Sequence, residues 1–169
     1  LEENCIAFSN NEKVSSAIAI DEEAVVQDLN SQKTLDLLRP LTTNSNAQLS
    51  IWDCCAGSGG KSILAFDLFK KVLLTVSDKR KEILENLKLR FTTAGIKDNK
   101  LIEVDLEKLP IRITESFDII IADLPCTGSG TWARTPERLL FFKENEIEEY
   151  ALLQRRIINN ALPFLKTNG

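Results

Sequence analysis

The chain has 169 residues, 43% of them apolar and 27% charged, and its 21 basic and 25 acidic side chains give a net charge of −4. A globular chain of this length buries roughly 70% of its unfolded surface, so one ordinary domain is expected. The composition excludes a disordered chain, a collagen and a coiled coil. No apolar run approaches the roughly 20 residues of a membrane-spanning helix, and the sequence does not open with a signal-peptide pattern.

Two absences and the cysteine pattern narrow the chemistry further. The chain has no His and no Met and opens on Leu1, so we expect part of a longer protein that lacks imidazole chemistry in these residues. The 4 cysteines, at positions 5, 54, 55 and 126, form no C-x-x-C pair, and no metal site is predicted. This pattern favours free thiols in a reducing cytoplasm. The acidic balance predicts that these residues alone bind nucleic acid weakly.

The sequence pattern that predicts helices and strands is weak in the first 48 residues and becomes regular from residue 49. Asn30 or Ser31 can cap a short helix that closes at Arg39-Pro40. Less regular segments are a connector at 1–26, with one short strand near 17–20, and a turn-rich loop at 41–48. Hydrophobic periodicity then predicts, in order, strand 49–54, helix 61–71, strand 72–76, helix 79–94, strand 101–104, strand 117–122 and helix 144–165.

This order of elements predicts a parallel α/β sheet. We divide the chain into an N-terminal connector with a short helix (1–40) and the sheet domain (41–169). The Ile-rich fourth strand would form an exposed edge if the sheet ended with it, and native proteins normally cover such edges. We therefore expect a partial domain whose further strands follow Gly169.

The first chemical motif is the glycine-rich turn of residues 53–61 (DCCAGSGGK), which connects a strand to a helix. Such a turn lets the backbone approach an anionic ligand at a helix N-terminus. As a P-loop, residues 60–62 (GKS) fit, but Cys55 replaces the first glycine. As a dinucleotide fingerprint, residues 57–59 (GSG) fit, but Ser62 replaces the third glycine. S-adenosylmethionine is the third possible ligand, and a turn without a ligand is the remaining alternative.

Two carboxylates follow strands of the same predicted sheet. Asp78 follows the second strand, close to the spacing of about 20 residues at which an acidic side chain accepts ribose hydroxyls. Asp105 follows the third strand, where it can accept a hydrogen bond from an adenine amino group. Either one alone is typical of a helix cap or a turn. Together, at one edge of the sheet, they indicate an adenosine site.

The third motif is residues 123–131 (DLPCTGSGT), directly after the fourth strand. Cys126 can act as a nucleophile or as an acid–base group if Lys61 or Arg134 favours its thiolate. Asp123 can hydrogen-bond the polar edge of a ring. The alternative for Cys126 is a small buried side chain, which is the usual place of a free cysteine.

Residues 53–61 and 123–131 together resemble the Sun-type family of S-adenosylmethionine-dependent RNA (cytosine-5) methyltransferases. Residues 27–32 (QDLNSQ) and 134–137 (RTPE) also match patterns of that family. The resemblance covers residues 25–169 and implies a Rossmann-like parallel sheet with helices on both faces, the class I methyltransferase fold. It further implies methyl transfer from S-adenosylmethionine to C5 of a cytosine in rRNA or tRNA, without a metal.

The resemblance also implies roles for individual residues. Lys61 would lie beside the target base, Asp123 would hold its ring edge, and Cys126 would assist loss of the C5 proton and of the enzyme thiol. The residues that would contact the cofactor are Cys55, Ala56, Gly57, Ser58, Gly59, Gly60, Lys61, Asp78, Asp105 and Asp123.

The sequence departs from the family pattern in two places. Residues 57–58 (GS) replace the more usual Ala-Pro, which is a conservative change among small residues. The family's Thr-Cys motif, whose cysteine attacks the base, would follow Gly169. We therefore expect the chain by itself to be inactive, with the RNA-binding regions elsewhere.

Three alternatives stay open at this point. A DNA cytosine-5 enzyme would use the cysteine of the Pro125-Cys126 pair as its nucleophile. A P-loop-like NTPase would use Asp123, after the Ile-rich strand, as its metal carboxylate. A non-catalytic module would bind the cofactor without transferring its methyl group.

Overall fold

Four parallel strands form the sheet in the computed structural model, which describes residues 5–9, 12–42, 48–69, 71–167 and 169. Their order across the sheet is β3-β2-β1-β4. The strand bounds are Leu49–Asp53 for β1, Val72–Asp78 for β2, Asn99–Glu103 for β3 and Ile119–Ile121 for β4. The order reverses between β1 and β4, and ligands of open α/β sheets bind at the carboxyl ends of strands beside such a reversal.

Helices connect and cover these strands. The α-helices are α1 (Leu29–Lys33), α2 (Arg39–Thr42), α3 (Gly60–Leu68), α4 (Lys81–Thr93), α5 (Arg138–Phe141) and α6 (Asn145–Ala161). Short 3-10 helices lie at Val14–Ser16, Asp36–Leu38, Ser129–Thr131 and Leu162–Phe164. Among the described ranges, no helix combines the length and the apolar character needed to cross a membrane.

The core has two parts, one on each face of the sheet, because successive side chains of a strand point to opposite faces. Ile51 belongs to the part formed with α3 and α4, where it joins Leu87 and Phe91. Trp52 belongs to the other part, with Phe117 and with Ile157 of α6. This arrangement confirms the predicted parallel α/β sheet with helices on both faces.

The N-terminal predictions were wrong in detail. Residues 17–20 form no strand, and Ile20 makes only an isolated bridge with Ala24. Asp21, at a φ of 67°, turns the chain so that its N–H donates to the carbonyl oxygen of Ala24 at 2.8 Å. Asp28, and not Asn30 or Ser31, caps α1, because its carboxylate accepts from the backbone N–H of Ser31 at 2.9 Å.

The helix predicted to close at Arg39-Pro40 ends earlier, and α2 begins there instead. Proline is tolerated in the first turn of a helix, where its missing N–H is not needed. Residues 41 and 42 of the predicted loop are therefore helical, and residues 43–47 lie outside the described residues.

From residue 49 the predicted elements are present, with shifted ends. β2 runs to Asp78 because its last residues pair with β3, up to Glu103. β4 has only 3 residues. Phe117, predicted to begin that strand, forms an isolated bridge with Leu165. The last helix changes from α to 3-10 geometry after Ala161, and α5 was not predicted.

Candidate functional site

A cavity of about 900 Å³ opens where the strand order reverses, at the carboxyl ends of the strands. The glycine-rich turn, Asp78 at the end of β2, Asp105 after β3, and the loop after β4 all contribute to its wall. Of the predicted site residues, those that line it are Cys55, Ala56, Gly57, Ser58, Gly60, Lys61, Asp78, Asp105, Asp123 and Cys126. Gly59 is the one predicted residue that is not part of the lining.

Gly59 packs against α4 instead of facing the cavity. It adopts a left-handed φ of 77°, and a Cβ built on it would lie 2.1 Å from Cδ1 of Leu87. Gly57 is also left-handed, at 53°, but nothing lies within 4 Å of a Cβ built on it. The turn thus needs glycine at residue 57 for conformation, and at residue 59 for conformation and for close packing on α4.

Gly59→Ala is expected to lower the free energy of unfolding by about 1–3 kcal/mol, because both the left-handed strain and the overlap with Leu87 cost energy. Urea denaturation measures this difference. Gly57→Ala, which introduces strain without overlap, should cost less. Gly130→Ala is the control, because nothing lies within 4 Å of a Cβ there, and its effect should stay within about 0.5 kcal/mol. Equal losses in all three variants would contradict this account of the turn.

Asp53, the last residue of β1, is a buried carboxylate in the cavity wall. Its Oδ2 accepts from the Ser62 hydroxyl at 2.6 Å, whereas its Oδ1 has no hydrogen-bond partner among the described residues. Burial raises the pKa of Asp53 to about 6. An unpaired buried acceptor of this kind is costly unless a ligand supplies a donor. The sequence motif includes Asp53, but the motif by itself assigns this residue no role.

Asp78 is also buried, and the protein itself satisfies its carboxylate. Arg80 donates from Nε to Oδ1 at 3.0 Å and from Nη2 to Oδ2 at 3.1 Å, and its backbone N–H donates to Oδ1 at 3.0 Å. The backbone N–H of Gly57 donates to Oδ2 at 3.1 Å. Burial by itself raises the pKa of Asp78, but these bonds outweigh it and leave the pKa below its usual value. The predicted ribose acceptor therefore starts fully hydrogen-bonded.

Asp105 lies on the neighbouring part of the wall, after β3. It accepts from the backbone N–H of Glu107 at 3.0 Å and pairs with Nζ of Lys108 at 2.8 Å. The hydrogen bond from Lys108 is the main cause that lowers the pKa of Asp105. Val104 and Leu106, on either side of it, also line the cavity, so a carboxylate here borders an apolar surface.

An ion pair joins the first and third motifs across the cavity. Nζ of Lys61 lies 2.6 Å from Oδ2 of Asp123; the Lys61 side chain is 17% exposed and that of Asp123 is 57% exposed. Cys126 is an exposed free thiol in the same wall, and the backbone N–H of Gly128 donates to its Sγ at 3.4 Å. The structure therefore brings Lys61, Asp123 and Cys126 to one cavity and pairs Lys61 with Asp123.

Two amide side chains of α6 hold the loops that carry these groups. Nε2 of Gln154 donates to the carbonyl oxygen of Pro125 at 2.8 Å, and Nδ2 of Asn160 donates to that of Leu106 at 2.8 Å. Sequence reasoning assigned neither residue a role in the site. The available signal was their spacing, because each is a polar residue three positions from Ile157, which is buried.

Arg90 of α4 holds the glycine-rich turn from the other side. Its Nη1 donates to the carbonyl oxygen of Ser58 at 2.6 Å, and its Nη2 donates to Oδ1 of Asp21 at 2.5 Å. One guanidinium thus connects the turn to the N-terminal segment. This residue was also missed, because only the fold places it near the motif.

The four cysteines are free, and the described residues contain no group of three or more His, Cys, Asp and Glu side chains that could hold a metal ion. Cys54 is buried and Cys55 is partly buried in the cavity wall. A hydrogen bond from Cys54 lowers the pKa of the Cys55 thiol. Both residues follow the end of β1 and lie in a turn, so Cys54 is not, as predicted, the last residue of the strand.

Comparison with known proteins identifies relatives of this chain. A sequence model of the family described as 16S rRNA methyltransferase RsmB/F matches residues 39–169. The ribosomal RNA small subunit methyltransferase B of Photorhabdus laumondii is 30% identical over 150 residues, which are 85% of this chain and 32% of that protein. The enzyme of the same name from Shewanella oneidensis is 32% identical over 147 residues, 86% of this chain and 33% of that protein.

A solved structure supports the fold. The crystal structure of NSun6 from Pyrococcus horikoshii with SFG is 24% identical, with a TM-score of 0.71 over 97% of this chain and 40% of that chain. This likeness confirms the predicted Rossmann-like methyltransferase fold. The chain spans about a third of the length of the curated relatives it matches.

Proposed function

The chain belongs to the 16S rRNA methyltransferase RsmB/F family, the Sun-type family expected from its motifs, and on that premise we propose that its cavity binds S-adenosylmethionine for methyl transfer to C5 of a cytosine in RNA. One observation carries this proposal: the glycine-rich turn, Asp78, Asp105 and the Asp123–Cys126 loop line a single cavity of about 900 Å³. That volume lies at the upper end of the range usual for sites of small ligands, about 300–1,000 Å³.

The residues present fit the proposed cofactor. The unpaired Oδ1 of Asp53 is a buried acceptor for the ammonium of the methionine end. Nothing lies within 4 Å of a Cβ built on Gly57, so the backbone shortly before α3 is open to a carboxylate there. Asp78 accepts ribose hydroxyls, and Asp105 accepts from the adenine amino group. When bound, the cofactor supplies a methyl group activated by a sulfonium.

The groups at the mouth of the cavity act on the base. Asp123 hydrogen-bonds the polar edge of an unstacked cytosine. Lys61 lies beside the base and keeps its ion pair with Asp123. Cys126 assists loss of the C5 proton and release of the attacking thiol. That thiol belongs to the family's Thr-Cys motif, so we propose that these 169 residues bind the cofactor without methylating RNA.

The substrate is proposed as rRNA or tRNA, without a metal. The net charge of −4 assigns most of the affinity for RNA to regions outside this chain, since phosphate contacts come from clustered Lys and Arg. The free thiols fit a reducing cytoplasm. The division at residue 40 also stays a proposal: the family match begins at residue 39, but Leu35 is buried in the core with α3 and α4.

Calorimetry with S-adenosylhomocysteine is expected to show binding at one site, and none with ATP–magnesium. Asp78→Ala should weaken the binding of S-adenosylhomocysteine by about 1–3 kcal/mol, the value of a lost hydrogen bond to a charged group. Glu85→Ala is the matched control, because this exposed carboxylate of α4 does not line the cavity. Binding of ATP–magnesium in place of S-adenosylhomocysteine would indicate the NTPase alternative and contradict the proposal.

A further inference from the structure

The Arg80 guanidinium is hydrogen-bonded to the carboxylate of Asp78, the group that the proposed function assigns as acceptor for the ribose of the cofactor. A carboxylate offers about four acceptor positions. Asp78 receives two hydrogen bonds from backbone N–H groups, those of Gly57 and Arg80, and two from the Arg80 guanidinium. All four positions are therefore used before a ligand arrives.

The two partners of this ion pair differ in their freedom to move. The Asp78 side chain is 7% exposed and fixed at the end of β2, whereas the Arg80 side chain is 51% exposed. Departure of the guanidinium would leave both backbone N–H groups in place and free two acceptor positions. A ribose offers two adjacent hydroxyls, which is the same number of donors that the guanidinium supplies.

We propose that Arg80 is a further residue of the cofactor site, one that sets its affinity by competing with the ribose hydroxyls for Asp78. This inference rests on the proposed function, because it takes Asp78 as the ribose acceptor. In the free chain the guanidinium keeps the buried carboxylate paired and oriented into the cavity. Binding breaks two charge-assisted hydrogen bonds and forms two to neutral hydroxyls, so part of the binding free energy is spent on displacing Arg80.

Arg80→Ala is therefore expected to bind S-adenosylhomocysteine roughly 3- to 10-fold more tightly than the unchanged chain in calorimetry, because no ion pair has to be broken. Arg80→Lys cannot donate two parallel hydrogen bonds, so its affinity should lie between those of the unchanged chain and Arg80→Ala. The gap between the unchanged chain and Arg80→Ala should narrow as sodium chloride is raised, since salt weakens an ion pair with an exposed partner.

Two further variants show whether Arg80 acts through Asp78. The double variant Asp78→Ala/Arg80→Ala should bind like Asp78→Ala, within about twofold, because Arg80 has nothing to compete for once the carboxylate is gone. Lys81→Ala is the charge-matched control: this neighbouring side chain is 73% exposed and faces Glu85. It should change the dissociation constant by less than about twofold.

The outcomes separate this inference from the proposed function. If Arg80→Ala keeps a native thermal transition but binds S-adenosylhomocysteine no more tightly than the unchanged chain, the proposal that Arg80 competes for Asp78 is wrong. If that variant is unstable, weaker binding by Arg80→Lys has the same meaning. Tight binding by Arg80→Ala alone, with none by the unchanged chain, supports the competition in its strongest form. Absence of binding in every form overturns the proposed function, and the competition with it.

Discussion

Asp53→Asn should remove a fall in stability of about 3 kcal/mol that the unchanged chain shows between pH 4 and pH 6. Burial raises the pKa of Asp53 from 3.8 to about 6. Below pH 3.8 both the folded and the unfolded chain hold the proton. Between the two pKa values Asp53 is ionised only in the unfolded chain. Rising pH therefore favours the unfolded chain and lowers the free energy of unfolding. Above pH 6 the loss is complete, at about 1.4 kcal/mol for each pKa unit.

Urea denaturation of both forms from pH 3.5 to pH 8 isolates this contribution as a difference between two curves. Asp118→Asn is a control of opposite sign, because hydrogen bonds from Ser50 and Lys166 outweigh the effect of burial and lower the pKa of Asp118. The stability that Asp118 contributes is lost as the pH falls. Identical pH slopes for the unchanged chain and Asp53→Asn would show that Asp53 ionises in the folded chain as it does in the unfolded one.

We expect the same carboxylate to make the proposed binding of the cofactor depend on pH. An ammonium bound at Oδ1 of Asp53 favours its ionised form, so a proton leaves when the ligand binds below pH 6. The affinity for S-adenosylhomocysteine should therefore rise between pH 5 and pH 7 and then level off. Asp53→Asn should bind weakly at every pH and without this rise. Calorimetry in buffers of different ionisation enthalpy measures the released proton directly.

The strands and the long helices from residue 49 onward could be predicted because their apolar periodicity reflects burial on both faces of the sheet. Ile51 and Trp52 point to opposite cores, and α4 buries one stripe that includes Leu87. The N-terminal elements lack such a pattern. Their conformation depends on local hydrogen bonds, such as the cap by Asp28, for which neighbouring Asn and Ser were equally plausible.

The motifs predicted which residues meet at the cavity, because the carboxyl ends of parallel strands share one edge. They could not predict how those residues pair. Lys61 pairs with Asp123, and Arg80 pairs with Asp78. Both ion pairs depend on where the folded chain places the side chains. The support from Gln154 comes from a helix far away in sequence. Such contacts follow from three-dimensional packing and leave little signal in a single sequence.

Cys126→Ala should cause a covalent protein–RNA adduct to accumulate in a longer polypeptide that also carries the family's Thr-Cys cysteine. The second thiol still adds to C6 of the cytosine, and methyl transfer still follows. Loss of the C5 proton and of the attacking thiol then proceeds without the exposed Cys126 at the cavity mouth. Removing a general acid–base group slows a step by about 10²–10⁴-fold. Denaturing electrophoresis with labelled RNA measures the adduct.

Cys5→Ala is the control in the same polypeptide, because Cys5 donates to Oε1 of Gln32 and does not line the cavity. Its adduct level should equal that of the unchanged protein. The decisive comparison is the direction of the change at Cys126. If Cys126 were the attacking thiol, as in the DNA cytosine-5 alternative, its removal would abolish the adduct, because the bond to C6 could no longer form. An adduct that increases assigns Cys126 to release, since only a step after addition can then be slow.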